Sequence, residues 1–576
     1  MSNPPDDCAQ PENSAFAIHS ITIADEVHTL SGSGSVLAVV GANNVGKSTL
    51  IDQILTNLRS VPAPGSKPQI LSSLDAKWPS TPAAIEEWLR AHCRVHHDIG
   101  QTHLSRKGLG SRLDEALKHL TEQDKLEHLT EWLVDSIPPT NRDMYVQPVT
   151  RPKSISDPPT HPFHVVLVNK EVRNSVITLA RKMFGIDLYL DAVSGELSFR
   201  IGDPDVAVPV ANDLNPEYAQ AVGSLRSLHE QGAGFRSALG LLLPMVTIPS
   251  PITLIDEPEA YLHPPQARLM GAEIGRVAAL NKSQVILATH DKNILQGVIE
   301  SETPVDILHL TRDGDVTSAR LLRADEVAEL WKDPMLRYGN ALDGLFHSAV
   351  IVTEADRDSR FYEAAIDALY ESRDADSPAH NLMFLAANGK QNIAKIVRRL
   401  KGFGIRTISC PDLDILNNKA VLSSLVNAHD GEWSVVESHY YKATGQFTAA
   451  PPAPDVNSIK GKIIALLDDA SGPLSDELAK RIKKEVALPK STWDKLKKHG
   501  MTAFSTGKAS AKELIKTLDE LGIVAVTLGE LERFLTDVDV SKSDPAWLSI
   551  AFDAGAHTST AANEHAERLL KAASIG

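Results

Sequence analysis

The sequence reads as an α/β protein of two domains. Val36-Leu37-Ala38-Val39-Val40, Ile252-Thr253-Leu254-Ile255 and Gln284-Val285-Ile286-Leu287-Ala288 are short, almost wholly apolar runs, as strands buried on both faces would be. The first runs into a glycine-bounded loop, residues 41–48, after which the spacing turns helical. A second alternation of apolar runs and helical segments begins near residue 340 and opens with Ala349-Val350-Ile351-Val352. At 576 residues the chain is too long for one hydrophobic core, so domains are expected over 1–340 and 341–576.

Within the first domain, Phe16–Ile23 alternates apolar and polar, the pattern of a half-buried strand. After a Pro/Gly/Ser-rich break at 61–66, residues 80–135 show three- and four-residue spacing. A helical insertion is therefore expected over about 60–160, a candidate dimerisation element. A Pro-rich break covers 137–159. A strand is expected at 164–168, and a hairpin from Leu188-Tyr189-Leu190 and the run 197–201. In the second domain, strands are expected at 382–385, 407–409 and 524–528. The Pro/Ala-rich stretch 449–454 leads into a basic helical insertion over about 450–500.

The formal net charge is −16, so the average surface repels nucleic acid, and any such site must be a local basic patch or depend on metal ions. No run of eighteen apolar residues suggests a transmembrane helix, and the polar, acidic start lacks the features of a signal peptide. Cys8, Cys93 and Cys410 are far apart and form no CxxC pair; they read as free thiols of a cytoplasmic protein with no membrane partner.

The loop Gly41-Ala42-Asn43-Asn44-Val45-Gly46-Lys47-Ser48 matches G-x-x-x-x-G-K-[ST] and is followed by Thr49. Its glycines let backbone N–H groups approach phosphates, Lys47 supplies a point charge, and the Ser48 hydroxyl can ligate Mg²⁺. Further on, an apolar strand delivers Asp256 to the Mg²⁺ sphere and Glu257 to the attacking water. His290, after the strand 284–288, is placed to sense a γ-phosphate. ATP and Mg²⁺ are thus the expected cofactors.

The order of this loop, the segment Asp-Glu-Pro-Glu-Ala-Tyr-Leu-His-Pro-Pro-Gln (256–266) and Thr289-His290-Asp291 resembles an ABC-type ATPase of the prokaryotic, non-transporter branch. The resemblance implies a signature segment that contacts ATP on a partner subunit, matched here by residues 228–237 with Gly232 and Gly234. Its order departs from the usual Ser-Gly-Gly. A homodimer or higher homo-oligomer is implied.

In the second domain, the apolar strand 350–353 ends at Glu354, with Asp358 one helical turn further, a spacing that lets both carboxylates face one site. Asp412 and Asp414 follow another strand and, in an extended chain, project on the same side. A third strand leads into Gly529-Glu530-Leu531-Glu532. Ligands of α/β sheets bind at the carboxyl ends of strands, and clustered hard oxygens suit Mg²⁺ or Mn²⁺. Glu354 followed by Asp412-x-Asp414, with Asn388-Gly389-Lys390 between, resembles a toprim domain. An ABC-type head followed by toprim in one chain resembles the OLD family (overcoming lysogenisation defect) of ATP-dependent endonucleases, to which the Gabija nuclease subunit is similar. That resemblance implies a cleavage site of Glu354, Asp358, Asp412, Asp414, Glu532 and Lys542. Glu354 and Asp412 would be catalytic ligands, and Lys542 would stabilise the transition state. It also implies anti-phage defence and a companion defence protein.

The segment Lys480-Arg481-Ile482-Lys483-Lys484, with Lys490, Trp493, Lys495, Lys497 and Lys498, is basic in an acidic chain. It would attract a phosphate backbone, of DNA in preference to RNA, without reading sequence. The combined expectation is an ATP-regulated, metal-dependent nuclease. The rival expectations are an ATP-driven sensor or scaffold acting with a partner effector, and a DNA repair ATPase.

Overall fold

The computed structural model describes residues 16–60, 70–79, 81–98, 100–122, 125–155, 159–209, 216–332, 341–448, 455–470, 472–486, 492–535 and 544–573. The chain divides into two compact units, Met1–Phe346 and His347–Gly576.

The first unit is built on a six-stranded sheet in the order Val316–Leu322, Val305–Asp313, Val36–Val40, Gln284–Ala288, Ile252–Asp256, Val134–Ile137. The Val316–Leu322 edge is antiparallel and every other pair is parallel. Val36–Val40 and Gln284–Ala288 are buried at every position, which is why they read as unbroken runs. Pairing of Val39 with Ala288, and of Ala288 with Asp256, brings three strand ends level. Those ends lead into the loop 41–46, Thr289-His290 and Asp256-Glu257. Helix Lys47–Arg59 buries Leu50, Ile51, Ile54 and Leu58 in the same core as Leu37, Val39, Leu254 and Ile286. At about 25 cal/mol per Å² of apolar surface, burial of this kind fixes the helix on the sheet.

The insertion is not all helical. Leu71–Lys77 pairs antiparallel with Ala17–Ile23, and Arg94–Asp98, Gln101–Arg106 and Leu109–Arg112 form a separate antiparallel sheet. Apart from the short turn Thr130–Leu133, the α-helices described over 80–135 are Pro82–His92 and Leu113–Glu122. Between them the chain turns at Lys107-Gly108, with φ 52° and 80°, the two-residue hairpin geometry that joins twisted strands. The run at 164–168 is also corrected, because Pro162–Val168 is a helix. His161 caps it by accepting from the Phe163 N–H, and Pro162 pre-sets its first turn. A five-residue apolar run has no period that separates a buried strand from a buried helix. The expected hairpin forms from Leu188–Asp191 and Glu196–Ile201.

The second unit centres on a parallel sheet in the order Leu382–Ala386, Ala349–Thr353, Thr407–Cys410. The segment 524–528 does not extend it as a regular strand; only the bridges Ser409↔Ile523 and Asp412↔Val526 form. The Ser409 N–H donates to Gly522 O, and Val524 and Val526 N–H donate to Ser409 O and Pro411 O. Pro411 has no N–H to continue the alternation, so the ladder breaks there. Helices Val456–Asp468, Asp476–Val486 and Asp494–His499 occupy the segment read from sequence as a basic helical insertion. Residues 449–454, Lys490 and Cys8 lie outside the described residues, while Cys93 and Cys410 are buried free thiols. Among the described residues, no helix is long and apolar enough to cross a membrane.

His429 is buried beside the sheet, 3.0 Å from Ser409 Oγ through Nε2. Burial, reinforced by Lys401, lowers its pKa from 6.5 to about 4. A depressed imidazole contributes stability that is complete above the unfolded pKa and lost as pH falls toward the folded one. The urea midpoint of the second unit should therefore drop between about pH 7 and about pH 5, and His429→Gln should flatten that drop. Parallel profiles for the two proteins would show that His429 does not carry it.

Candidate nucleotide and metal sites

The nucleotide site grows from backbone that few residues tolerate. Gly41, Asn44 and Gly46 have φ of 152°, 65° and 101°. A Cβ at Gly46 would meet only the movable tip of Ile70, so it is the left-handed conformation that calls for glycine there. Gly46 caps helix Lys47–Arg59 without a side-chain hydrogen bond. The helix N-terminus, the natural seat of an anion, thus opens toward the loop. Lys47 Nζ donates to the carbonyls of Gly41 and Ala42, each at 2.9 Å. Burial lowers its pKa, opposed by Glu259, Asp256 and Glu257. Asn43, Asn44, Ser48 and Thr49 are exposed along the mouth.

Ser48 Oγ donates to Asp256 Oδ1 at 3.0 Å, closing a gap of 208 positions in sequence. Burial raises the Asp256 pKa. A hydroxyl and a carboxylate at this separation, at the loop's rim, are the hard oxygen donors Mg²⁺ takes, so the residues fit that ion. Glu257 follows at φ 46°, its N–H donating to Ala288 O at 2.9 Å. A glutamate in the left-handed region is sterically costly and turns the side chain out of the strand's line.

The sequence pointed to His290 but not to the residue that orients it. Glu259 Oε1 accepts from the His290 N–H at 2.9 Å and lies 3.1 Å from His290 Nδ1. With Nδ1 committed to a carboxylate, Nε2 is the nitrogen left for a ligand. Burial raises the Glu259 pKa, and the His290 N–H opposes that rise. Its sequence signal is the second acid of Asp256-Glu257-Pro258-Glu259.

Arg142 is a second residue the sequence did not reveal. It is buried, donating to Ser237 Oγ at 2.9 Å and to the carbonyls of Asp256 and Glu257 at 2.6 and 2.9 Å. Burial lowers its pKa to about 10. It lies in the 3₁₀ segment Pro139–Tyr145, where the Pro-rich composition suggested only a break. Residues 228–237 form a 3₁₀ turn, Leu228–Glu230, and then helix Ala233–Thr247 with Gly232 at its N-cap. A Cβ on Gly234 would come within 2.5 Å of Tyr261 O, so this helix start packs directly against the segment after Glu259. Arg142 therefore joins helix Ala233–Thr247, through Ser237, to the backbone carrying Asp256 and Glu257.

In the second unit, Glu354, Asp412 and Asp414 each place an oxygen within 4.8 Å of the others. Glu354 ends strand Ala349–Thr353, and its Oε1 accepts from the Asp412 N–H at 3.1 Å. Asp412 is the N-cap of the 3₁₀ helix Leu413–Asn417, so the Asp-x-Asp pair converges through a tight turn, not the extended geometry expected from spacing. Burial raises the Glu354 pKa, and Asp414 raises it further. Asp414 is held by Lys390 Nζ at 2.9 Å and Lys497 Nζ at 3.0 Å. The sequence read Lys497 as part of a phosphate-attracting segment and Lys390 only as following Gly389, and it foresaw neither contact with Asp414.

Two expected members do not join this set. Asp358 sits in the first turn of helix Asp356–Glu371, where its Oδ2 accepts from the Ala355 N–H at 2.8 Å. Helix capping commits that oxygen, although the charge still raises the Glu354 pKa. Glu532 lies on the 3₁₀ turn Leu531–Phe534 beyond the broken ladder and is not within the 4.8 Å grouping. Lys542 lies outside the described residues. The three grouped carboxylates suit a hard divalent cation such as Mg²⁺ or Mn²⁺.

Residues 222–296 match the family model described as "AAA domain, putative AbiEii toxin, Type IV TA system". No curated protein matches the chain in sequence. Among solved structures, the chain is similar to an SmcHead bound to the C-winged helix domain of ScpA: 14% identity, TM-score 0.33, covering 54% of this chain and 98% of that one. It is also similar to cbiO1 from Clostridium perfringens, part of the ABC transporter complex cbiONQ: 14% identity, TM-score 0.28, covering 57% and 96%. For the SMC head domain from Thermotoga maritima the values are 15%, 0.28, 54% and 98%. Overlaps this low carry no argument about activity. The family match and the geometry of Lys47, Ser48, Asp256 and His290 support an ATP-binding ATPase in the first unit.

Replacing Arg142 with Met should lower ATP turnover by about tenfold or more while nucleotide affinity stays within about threefold. Lys47→Ala should instead remove nucleotide binding, measured by fluorescent-nucleotide titration. Equal loss of binding in both variants would show that Arg142 only maintains the fold.

Proposed function

We propose that the chain is an ATP-regulated, divalent-metal-dependent nuclease of the OLD kind, with DNA the favoured substrate and anti-phage defence the setting. The observation that carries this reading is the convergence of Glu354, Asp412 and Asp414 beside the carboxyl ends of two parallel strands. A divalent ion there would supply Lewis acidity to a phosphodiester. Glu354, Asp412 and Asp414 would hold it. Lys390 and Lys497, both on Asp414, place positive charge where a phosphate approaches, the role expected of Lys542. Lys497 belongs to the basic segment, whose charge favours a nucleic-acid backbone regardless of sequence.

In the first unit, the loop 41–49 would hold ATP, and Ser48 and Asp256 its Mg²⁺. Glu257 would polarise the attacking water, and Glu259 would keep His290 aimed at the γ-phosphate. Arg142 would link that site to residues 228–237, which by the ABC resemblance meet ATP on a second copy of the chain. Homodimerisation on ATP belongs to the proposal.

A second reading draws on the printed description of the matched family, a toxin of a toxin–antitoxin system. The chain would then be an ATP-driven sensor that acts with a partner effector. The purified chain alone, given plasmid, linear DNA and RNA with Mg²⁺ or Mn²⁺, separates the two readings. Glu354→Gln combined with Asp412→Asn should abolish cleavage and leave ATP binding intact. Undiminished cleavage by that double variant would refute the nuclease assignment; inactivity of the wild type with every metal would favour the sensor.

A further inference from the structure

We propose that His119, Glu127 and His128 form a transition-metal site, suited to Zn²⁺, that pins helix Leu113–Glu122 to the segment 125–131, which itself docks on the far end of the phosphate-loop helix. One donor atom from each of the three lies within 4.8 Å of the others. The two imidazole rings stand with centroids 5.0 Å apart and planes at 61°, so they converge without stacking. Two imidazoles and one carboxylate are the donors of zinc and its neighbours in the first transition row, whereas Mg²⁺ prefers oxygen alone. This set therefore differs in chemistry from Glu354, Asp412 and Asp414, and it lies in the other unit.

The orientation of His119 is an independent sign. Its Nε2 lies 2.8 Å from Lys125 O, and a carbonyl can only accept, so Nε2 carries the proton. Nδ1 is left with the lone pair. A ring nitrogen donating to a backbone carbonyl while the other keeps its lone pair is the usual outer-sphere arrangement of a ligating histidine. Glu127 holds φ 45°, in the left-handed region that non-glycine residues seldom adopt, and its side chain is exposed. Three protein donors leave a fourth tetrahedral position for water.

The location gives the site a consequence. The same loop docks on the C-terminal end of helix Lys47–Arg59. Leu126 N–H donates to Leu58 O at 2.8 Å, Lys125 Nζ to Asn57 O at 2.6 Å, and Arg59 pairs with Glu131 at 2.7 Å. The opposite end of that helix carries Lys47 and Ser48. An ion binding only the folded arrangement would stabilise this junction by mass action.

The test is titration of the chelator-stripped full chain with Co²⁺, reading the intense visible bands of a tetrahedral, nitrogen-ligated ion. The bands should saturate at one equivalent, Zn²⁺ should displace that ion, and Zn²⁺ should raise the first thermal transition. His119→Gln combined with His128→Gln should abolish the bands, and Glu127→Gln should weaken binding by about tenfold. Glu354→Gln should leave them unchanged. The side chains at 127 and 128 are exposed, and unchanged circular dichroism would establish that the variants fold. No Zn²⁺-displaceable tetrahedral band in the wild type, or its persistence in the double histidine variant, would overturn the site.

Discussion

Carboxylates gathered at the ends of parallel strands repel one another and lose water, and both units of this chain are arranged around offsetting that cost. In the first unit, Asp256, Glu257 and Glu259 stand within four residues. Ser48 donates to Asp256, the His290 N–H donates to Glu259, and Arg142 binds the carbonyls beneath the pair. In the second, Glu354 accepts the Asp412 N–H while two lysines hold Asp414. An isolated buried carboxylate would simply take up a proton. Burial leaves the pKa values of Asp256, Glu259 and Glu354 raised, so the offset is incomplete.

What the sequence made legible follows from which signals are local. Strands buried on both faces announce themselves, so the runs at 36–40, 252–256, 284–288 and 349–353 were readable, as was the loop that follows the first. Signals at pair level were not. The antiparallel sheet of the insertion depends on a two-residue turn at Lys107-Gly108 inside a segment with helical spacing on either side. The run 164–168 carries β-branched residues, yet Pro162 and the His161 cap settle it as helix. The break at 524–528 comes from Pro411 on the neighbouring segment, not from its own residues.

The sites divide in the same way. Lys47, Ser48, Asp256 and His290 lie on a recognisable framework. Arg142 does not, because nothing in a Pro-rich segment marks one arginine as buried beneath a site 114 positions away. Asp358 shows the converse, for a helical-turn spacing is equally the spacing of a capping carboxylate, and here capping took one oxygen. Lys497 shows that charge in a solvated insertion can also be a contact with an acidic cluster.

On the proposed reading the chain holds separate cation centres for ATP and for cleavage. Mn²⁺ binding followed by electron paramagnetic resonance tests it most directly, with nucleotide absent and the first centre disabled by Asp256→Asn. Bound Mn²⁺ is expected in that variant and should be lost when Glu354→Gln and Asp412→Asn are added. Identical Mn²⁺ binding with and without those two changes would contradict it.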